Sequence, residues 1–196
     1  MLAFGPVPSR RLGQSLGINN IPPKSCSYSC VYCQVGPTKQ TATVPRTFYD
    51  PDALAAAVTK RVQALRAQNE KIDFLTFVPD GEPTLDEHLG DAIELLKPLG
   101  LPVAVITNGS LLWRPEIRER LAQADWVSVK VDAVHQDAWA RINRPAPSLR
   151  LSEILEGVRR FASAFEGFLA TKTMLIARGL LKTVEHQGKT FFIRRF

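Results

Sequence analysis

Apolar and polar positions follow two alternating rhythms along this chain. Short runs rich in β-branched residues fall at 16–21, 74–78, 103–107, 126–131 and 169–176, each of the length and composition of a buried strand. Between them the apolar residues recur at helical spacing. Asp50-Pro51 is an N-cap followed by a proline at the first helical position, and Leu54, Val58, Val62 and Leu65 continue it as one stripe. Thr84, with Glu87 three residues on, predicts a capping box; Leu85, Leu89, Ile93 and Leu96 supply the apolar face, and Gly100 the left-handed closure. Further helices are expected at 115–122 and at 149–165, the latter with Ile154, Val158 and Phe161 inward. In the tail, 177–196, the pattern fades; a short helix at 180–186 and a strand at 190–193 are the expectation there, with an atypical or shortened end. Strand followed by helix followed by strand implies parallel strands joined by right-handed crossovers, as an open α/β sheet or a whole or partial barrel.

Composition narrows the class. With 196 residues, 45% of them hydrophobic and 22% charged, the chain has the make-up of one ordinary globular domain spanning 1–196. The first residues lack the basic and apolar regions of a signal peptide, and no run of about 18 apolar residues follows; a cytoplasmic protein with no membrane association is expected. The net charge of +6 favours anionic partners, but the positive residues are dispersed, so a solvated basic surface is the simpler reading and charge alone does not establish nucleic-acid binding.

Parallel topology places working residues at the carboxyl ends of strands, and the polar motifs lie there. After the first strand come Cys26, Cys30 and Cys33, the three cysteines of the chain, within one short segment. Three such thiolates can hold three corners of a cubane iron–sulfur cluster and leave one iron open for chemistry. A structural zinc site wants a fourth ligand, and His88, His135 and His186 lie far along the chain without paired spacing, so zinc stays as a poorer alternative. A ferredoxin needs four thiolates, and a disulfide framework an even count and an oxidising compartment. After the second strand comes Asp80-Gly81-Glu82-Pro83-Thr84, where the glycine permits close approach of a ligand and Glu82 can receive an ammonium group. After the third comes Thr107-Asn108-Gly109-Ser110, which is equally an ordinary polar turn. On the fourth strand Ser128, Lys130 and Asp132 share one face; a lysine and an aspartate in a parallel sheet imply an ion pair or a polar cavity, and the cavity is favoured by their place at the strand end.

The spacing CxxxCxxC with an aromatic residue before the last cysteine, followed by the glycine-glutamate-proline turn, resembles the radical S-adenosylmethionine (SAM) superfamily. The stretch from Gly5-Pro6-Val7-Pro8-Ser9-Arg10-Arg11-Leu12-Gly13 to Cys33 is similar to a branch related to tRNA wyosine synthesis. The resemblance implies an α/β fold, a partial (β/α) TIM-like barrel of parallel strands with five to six β/α units. It implies that Cys26, Cys30 and Cys33 bind a 4Fe-4S cluster whose fourth iron takes the amino and carboxylate groups of SAM, with Tyr32 near the adenine. Gly81 and Glu82 then meet the methionine amino group, and Asn108, Lys130 and Asp132 meet the methionine carboxylate or ribose. The implied activity is reductive cleavage of SAM to a 5′-deoxyadenosyl radical that abstracts hydrogen from an unidentified substrate. A low-potential donor of flavodoxin or ferredoxin type would reload the cluster. Two other outcomes are consistent with the residues. One is a tRNA-modifying enzyme, with Arg10, Arg11, Arg194 and Arg195 on phosphate, although wyosine-forming enzymes carry a second cluster and this chain has no cysteine after Cys33. The other is an iron–sulfur protein without turnover.

Overall fold

The five apolar runs become adjacent parallel strands, each joined to the next by a crossover connection. The computed structural model describes residues 1–172, 181–186 and 189–194. Among them, β1 (Ala3–Ser9), β2 (Gly13–Ile18), β3 (Phe74–Phe77), β4 (Val103–Thr107), β5 (Trp126–Lys130) and β6 (Phe168–Lys172) form one sheet in chain order. From β2 to β6 every pairing is parallel. Sequential order without a reversal is that of a partial (β/α) barrel rather than a doubly wound sheet. Five helices accompany these strands: α1 (Pro51–Ala67), α2 (Leu89–Leu96), α3 (Pro115–Leu121), α4 (Gln136–Asn143) and α5 (Leu151–Ala164).

The edge strand β1 is absent from the sequence prediction. It pairs antiparallel with β2, and its register slips between Phe4 and Val7. Pro6 and Pro8 argue against a strand when read locally, but on an outer edge a missing N–H costs no ladder bond.

Helix α1 begins as the sequence indicates: the Asp50 carboxylate accepts from Ala53 N–H at 2.9 Å, and Leu54, Val58, Val62 and Leu65 are buried. The second helix does not. Thr84 donates its hydroxyl to Glu82 Oε1, and Glu87 accepts from Thr47, so the reciprocal capping box between Thr84 and Glu87 never forms. Instead Pro83–Leu85 is a single 3-10 turn capped by Glu82, and α2 starts only at Leu89. The expected apolar face survives the shift, with Leu85, Leu89, Ile93 and Leu96 all buried. Gly100, at φ +67°, closes the 3-10 turn that ends α2. Helix α3 matches its expected span to within a residue, and α5 turns Ile154 and Phe161 into the core with Val158 packed against it.

Helix α4 was not foreseen; it buries only Trp139 and Asn143, one turn apart, too short a stripe to declare itself. The tail follows expectation at 190–193, which is strand, and departs from it at 181–186. Residues Leu181–His186 form a strand, β7, rather than a helix, and pair antiparallel with β8 (Lys189–Arg194). The alternation around β-branched Thr183 and Val184 suits a hairpin ladder better than a helical turn. The last part of the expected strand at 169–176 lies outside the described residues beyond Lys172, as do 177–180 and Arg195. Among the described residues no helix is long and apolar enough to cross a membrane.

Helix α5 lies so close to the turn after β4 that a Cβ built on Gly157 would sit 2.4 Å from the carbonyl group of Leu112. Alanine is favoured over glycine inside a helix by roughly 1 kcal/mol, whereas forcing a methyl into backbone costs typically 1–3 kcal/mol or more. The clash wins. Gly157→Ala is therefore expected to lower Tm by several degrees in a thermal melt followed by circular dichroism, and an unchanged or raised Tm would show that α5 can move away freely.

Candidate functional site

The segment between β2 and α1 has almost no regular structure, so its conformation depends on where its backbone groups find partners. On one side it is zipped to the turn after β3: Lys24 N–H donates to the Asp80 carbonyl and Glu82 N–H to the Ser25 carbonyl, both at 2.8 Å. A Cβ on Gly81 would lie 2.3 Å from that Ser25 oxygen. The closest approach at Gly81 is thus the protein's own backbone. On the other side the segment is held by the end of α4. Ser29 N–H donates to the Asn143 carbonyl at 3.0 Å, Val31 N–H to Ile142 at 2.9 Å, and Ala146 N–H to Ser27 at 2.9 Å. Buried Tyr28 anchors the middle, edge-on to Trp139, whose indole N–H donates to its hydroxyl at 3.1 Å.

Cys26, Cys30 and Cys33 all lie in this doubly pinned segment, none of them in a disulfide and all of them partly exposed. Each sulfur has its own N–H donor from a different place in the chain. Asn108 Nδ2 reaches Cys26 Sγ at 3.6 Å, Asn143 Nδ2 reaches Cys30 Sγ at 3.4 Å, and Lys24 Nζ reaches Cys33 Sγ at 3.8 Å. Burial, and then the nearby Glu82 carboxylate, push the Cys26 thiol up to about 12. That cysteine stays protonated at neutral pH until a metal displaces the proton. Among the described residues no three acidic, imidazole or thiol groups close around a single metal ion; a cubane asks for no such closure, since each thiolate takes a different iron. The donor set fits three corners of such a cluster.

Glu82 is 1% exposed. Its Oε1 accepts from Thr84 N–H at 3.1 Å and from the hydroxyls of Thr84 and Thr107 at 2.6 Å, and its Oε2 from Asn108 N–H at 2.7 Å. Four neutral donors satisfy the oxygens, yet burial still holds the carboxyl above its usual range, because no full charge opposes its own. Asn108 uses its whole amide locally: Nδ2 donates to Ser27 Oγ at 2.9 Å as well as to Cys26, and Oδ1 accepts from Ser110 N–H at 2.9 Å.

Lys130 and Asp132 converge on Tyr32 from two directions. The Lys130 ammonium stands 4.1 Å above the Tyr32 ring centroid, and the Tyr32 hydroxyl donates to Asp132. Burial, reinforced by that carboxylate, raises the Tyr32 phenol far above its ordinary value. Asp132 Oδ2 also accepts from Asn143 Nδ2 at 2.6 Å.

The structure thus gathers the predicted residues at the carboxyl ends of β2, β3, β4 and β5. It adds Lys24, Ser27 and Asn143, and joins Thr107 of the polar turn to Glu82. Lys24 could have been suspected from its closeness to Cys26, but nothing local marks Asn143, which stands far from Cys30 in the chain. Of the histidines considered for zinc, His88 instead pairs with Asp91 at 2.8 Å at the start of α2.

The family model described as "Radical SAM superfamily" matches residues 20–180. A UPF0026 protein of Methanocaldococcus jannaschii is 49% identical over 190 residues, covering 94% of this chain and 59% of that protein. The chain therefore spans about three fifths of the length of this curated relative. Among solved structures, TYW1 with a lysine-pyruvate adduct bound is similar with a TM-score of 0.57 at 16% identity, over 82% of this chain and 55% of that one. Streptococcus suis SuiB bound to S-adenosylmethionine is similar with a TM-score of 0.57 at 12% identity, over 81% of this chain and 34% of that one. At such identities the likeness is one of fold.

Thr107 is the hinge of the dry network, donating to Glu82 and accepting from Gly109 N–H at 3.0 Å. Thr107→Val keeps its shape and removes both bonds; Glu82 Oε1 keeps its two donors from Thr84, but the buried Gly109 N–H loses its acceptor, at a cost of roughly 1–3 kcal/mol. Urea unfolding is expected to show a midpoint lowered accordingly with little change in slope.

Proposed function

The chain belongs to the Radical SAM superfamily, and from that premise we propose that it cleaves S-adenosylmethionine reductively at a 4Fe-4S cluster held by Cys26, Cys30 and Cys33. When bound, the cluster supplies the electron that breaks the sulfonium bond, giving a 5′-deoxyadenosyl radical for hydrogen abstraction from a substrate not yet identified. A low-potential donor of flavodoxin or ferredoxin type restores the electron.

The observation that carries this reading is the pairing of three free thiols in one pinned loop with a buried carboxylate whose partners are all neutral. A desolvated negative charge of that kind is stabilised by an incoming cation. In this reading Glu82, with the Gly81 backbone, receives the methionine ammonium. Asn108 stands between Glu82 and Cys26 and fixes their separation, so it lies where the methionine end meets the cluster. Lys130 offers the positive charge for the methionine carboxylate, Asp132 an acceptor for ribose hydroxyls, and Tyr32, clamped by both, an aromatic border for the adenine. The Tyr32 proton is held by Asp132, so the ring acts as a wall rather than as an acid. A barrel mouth lined in this way excludes water once substrate covers it.

The decisive experiment is anaerobic reconstitution with iron and sulfide, reduction with dithionite, and incubation with SAM. Release of 5′-deoxyadenosine is expected. An intact cluster that yields none would overturn the enzymatic reading and leave iron–sulfur binding alone. Cys30→Ala is expected to abolish both the cluster absorption and the product, since a cubane loses its hold when one of three protein ligands goes.

A further inference from the structure

Three side-chain N–H groups, one aimed at each cysteine sulfur, are not required to hold a cluster, and they come from three unrelated parts of the chain. We infer that Lys24, Asn108 and Asn143 form a donor set that raises the cluster's reduction potential, with the Lys24 ammonium at Cys33 exerting the largest effect. This rests on the cluster reading above.

Reduction adds one negative charge to the cluster, and that charge spreads onto the thiolate sulfurs. Donors that face those sulfurs therefore favour the reduced form, and hydrogen bonds to sulfur are among the features that set such potentials. A donor that itself carries charge makes a bond roughly twice as strong as a neutral one. Lys24 is that donor. Its backbone takes the left-handed conformation, φ +67°, which residues with a β-carbon rarely adopt. The bond from its N–H to Asp80 holds it there. The side chain then turns back over the loop, with Nζ donating to the Gly36 carbonyl and reaching Cys33 Sγ at 3.8 Å. A backbone in an unfavourable conformation is retained here while its side chain spans the cysteine segment, the association of strain with function that active sites show.

Asn143 makes the same point independently. It is 2% exposed, and its Oδ1 has no hydrogen-bond partner. An amide turned the other way would set its oxygen against Asp132 Oδ2, now 2.6 Å from Nδ2. Asp132 thus fixes the amide with its N–H2 toward Cys30 even though a buried carbonyl is left unpaired. These are positioning residues, acting on the cluster through its ligands.

The test is the midpoint potential of the anaerobically reconstituted chain, titrated with dithionite and followed by electron spin resonance. Lys24→Gly suits the left-handed backbone, so it should load iron and melt like the parent while losing the ammonium. Its reduction equilibrium is expected to fall about tenfold, ~59 mV more negative for one electron. Lys24→Arg should restore most of that shift, and Asn143→Ala should move the potential the same way by less. Full iron content with an unchanged midpoint in Lys24→Gly and Asn143→Ala would overturn the inference. Should either variant fail to load, resonance Raman of the wild-type cluster in H2O and D2O decides. N–H···S bonds shift the Fe–S stretching bands on deuteration, and bands that do not move would equally overturn it. Wild-type protein that takes up no cluster would instead sink the functional reading.

Discussion

The architecture at the mouth of the barrel hangs on one carboxylate that has been taken out of water. Glu82 lies in the turn after β3, and the groups that satisfy its two oxygens come from the 3-10 turn that it caps and from the end of β4. Its own N–H reaches the Ser25 carbonyl just before the first cysteine. A buried charge costs several kcal/mol unless its bonds are made, so these contacts are obligatory rather than decorative. Strand end, turn and cysteine loop thereby meet at Glu82, with the Lys24–Asp80 and Asn108–Ser27 bonds beside it.

Gly81 gives that arrangement its closeness. The Ser25 oxygen occupies the space a side chain would need, so the loop can lie directly on the turn and bring Cys26 within reach of Asn108. A glycine before a glutamate reads in sequence as room for a ligand; here it is first of all room for another stretch of backbone. The two uses are compatible, because the loop so placed is the one that carries the thiols.

What could be read in the chain alone follows from how local the cause is. Asp50 and Pro51 start α1 through contacts within three residues, and the burial of Leu54, Val58, Val62 and Leu65 follows the helical period. Gly81, Glu82, Lys130 and Asp132 stood out because parallel topology sends strand ends to one face, and the structure brings them to that face. Where the cause is distant the reading fails. Thr84 has the sequence of a cap, but its hydroxyl goes to Glu82. Pro6 and Pro8 disguise β1 because only the fold makes that strand an edge. Asn143 touches Cys30 across 113 positions of chain, and its helix buries too few residues to be seen. The hairpin of β7 and β8 likewise depends on a partner strand that periodicity in 181–186 does not reveal.

The far side of the loop has its own acidic node, in surroundings unlike those of Glu82. Asp132 is only half-buried and gathers the Tyr32 hydroxyl and the Asn143 amide, while Lys130 lies over the same tyrosine ring. A carboxylate near solvent pays less for its charge than one enclosed in the interior. Glu82 is therefore fixed by backbone and hydroxyl donors in the interior, whereas Asp132 gathers side chains at a more open position. An irregular loop is thus held on both sides, by the turns after β3 and β4 and by the end of α4. Cys26 faces the first and Cys30 the second. Cys33 lies beyond both, beside Lys24, whose backbone is bonded to the turn after β3 and whose ammonium is bonded to the cysteine segment.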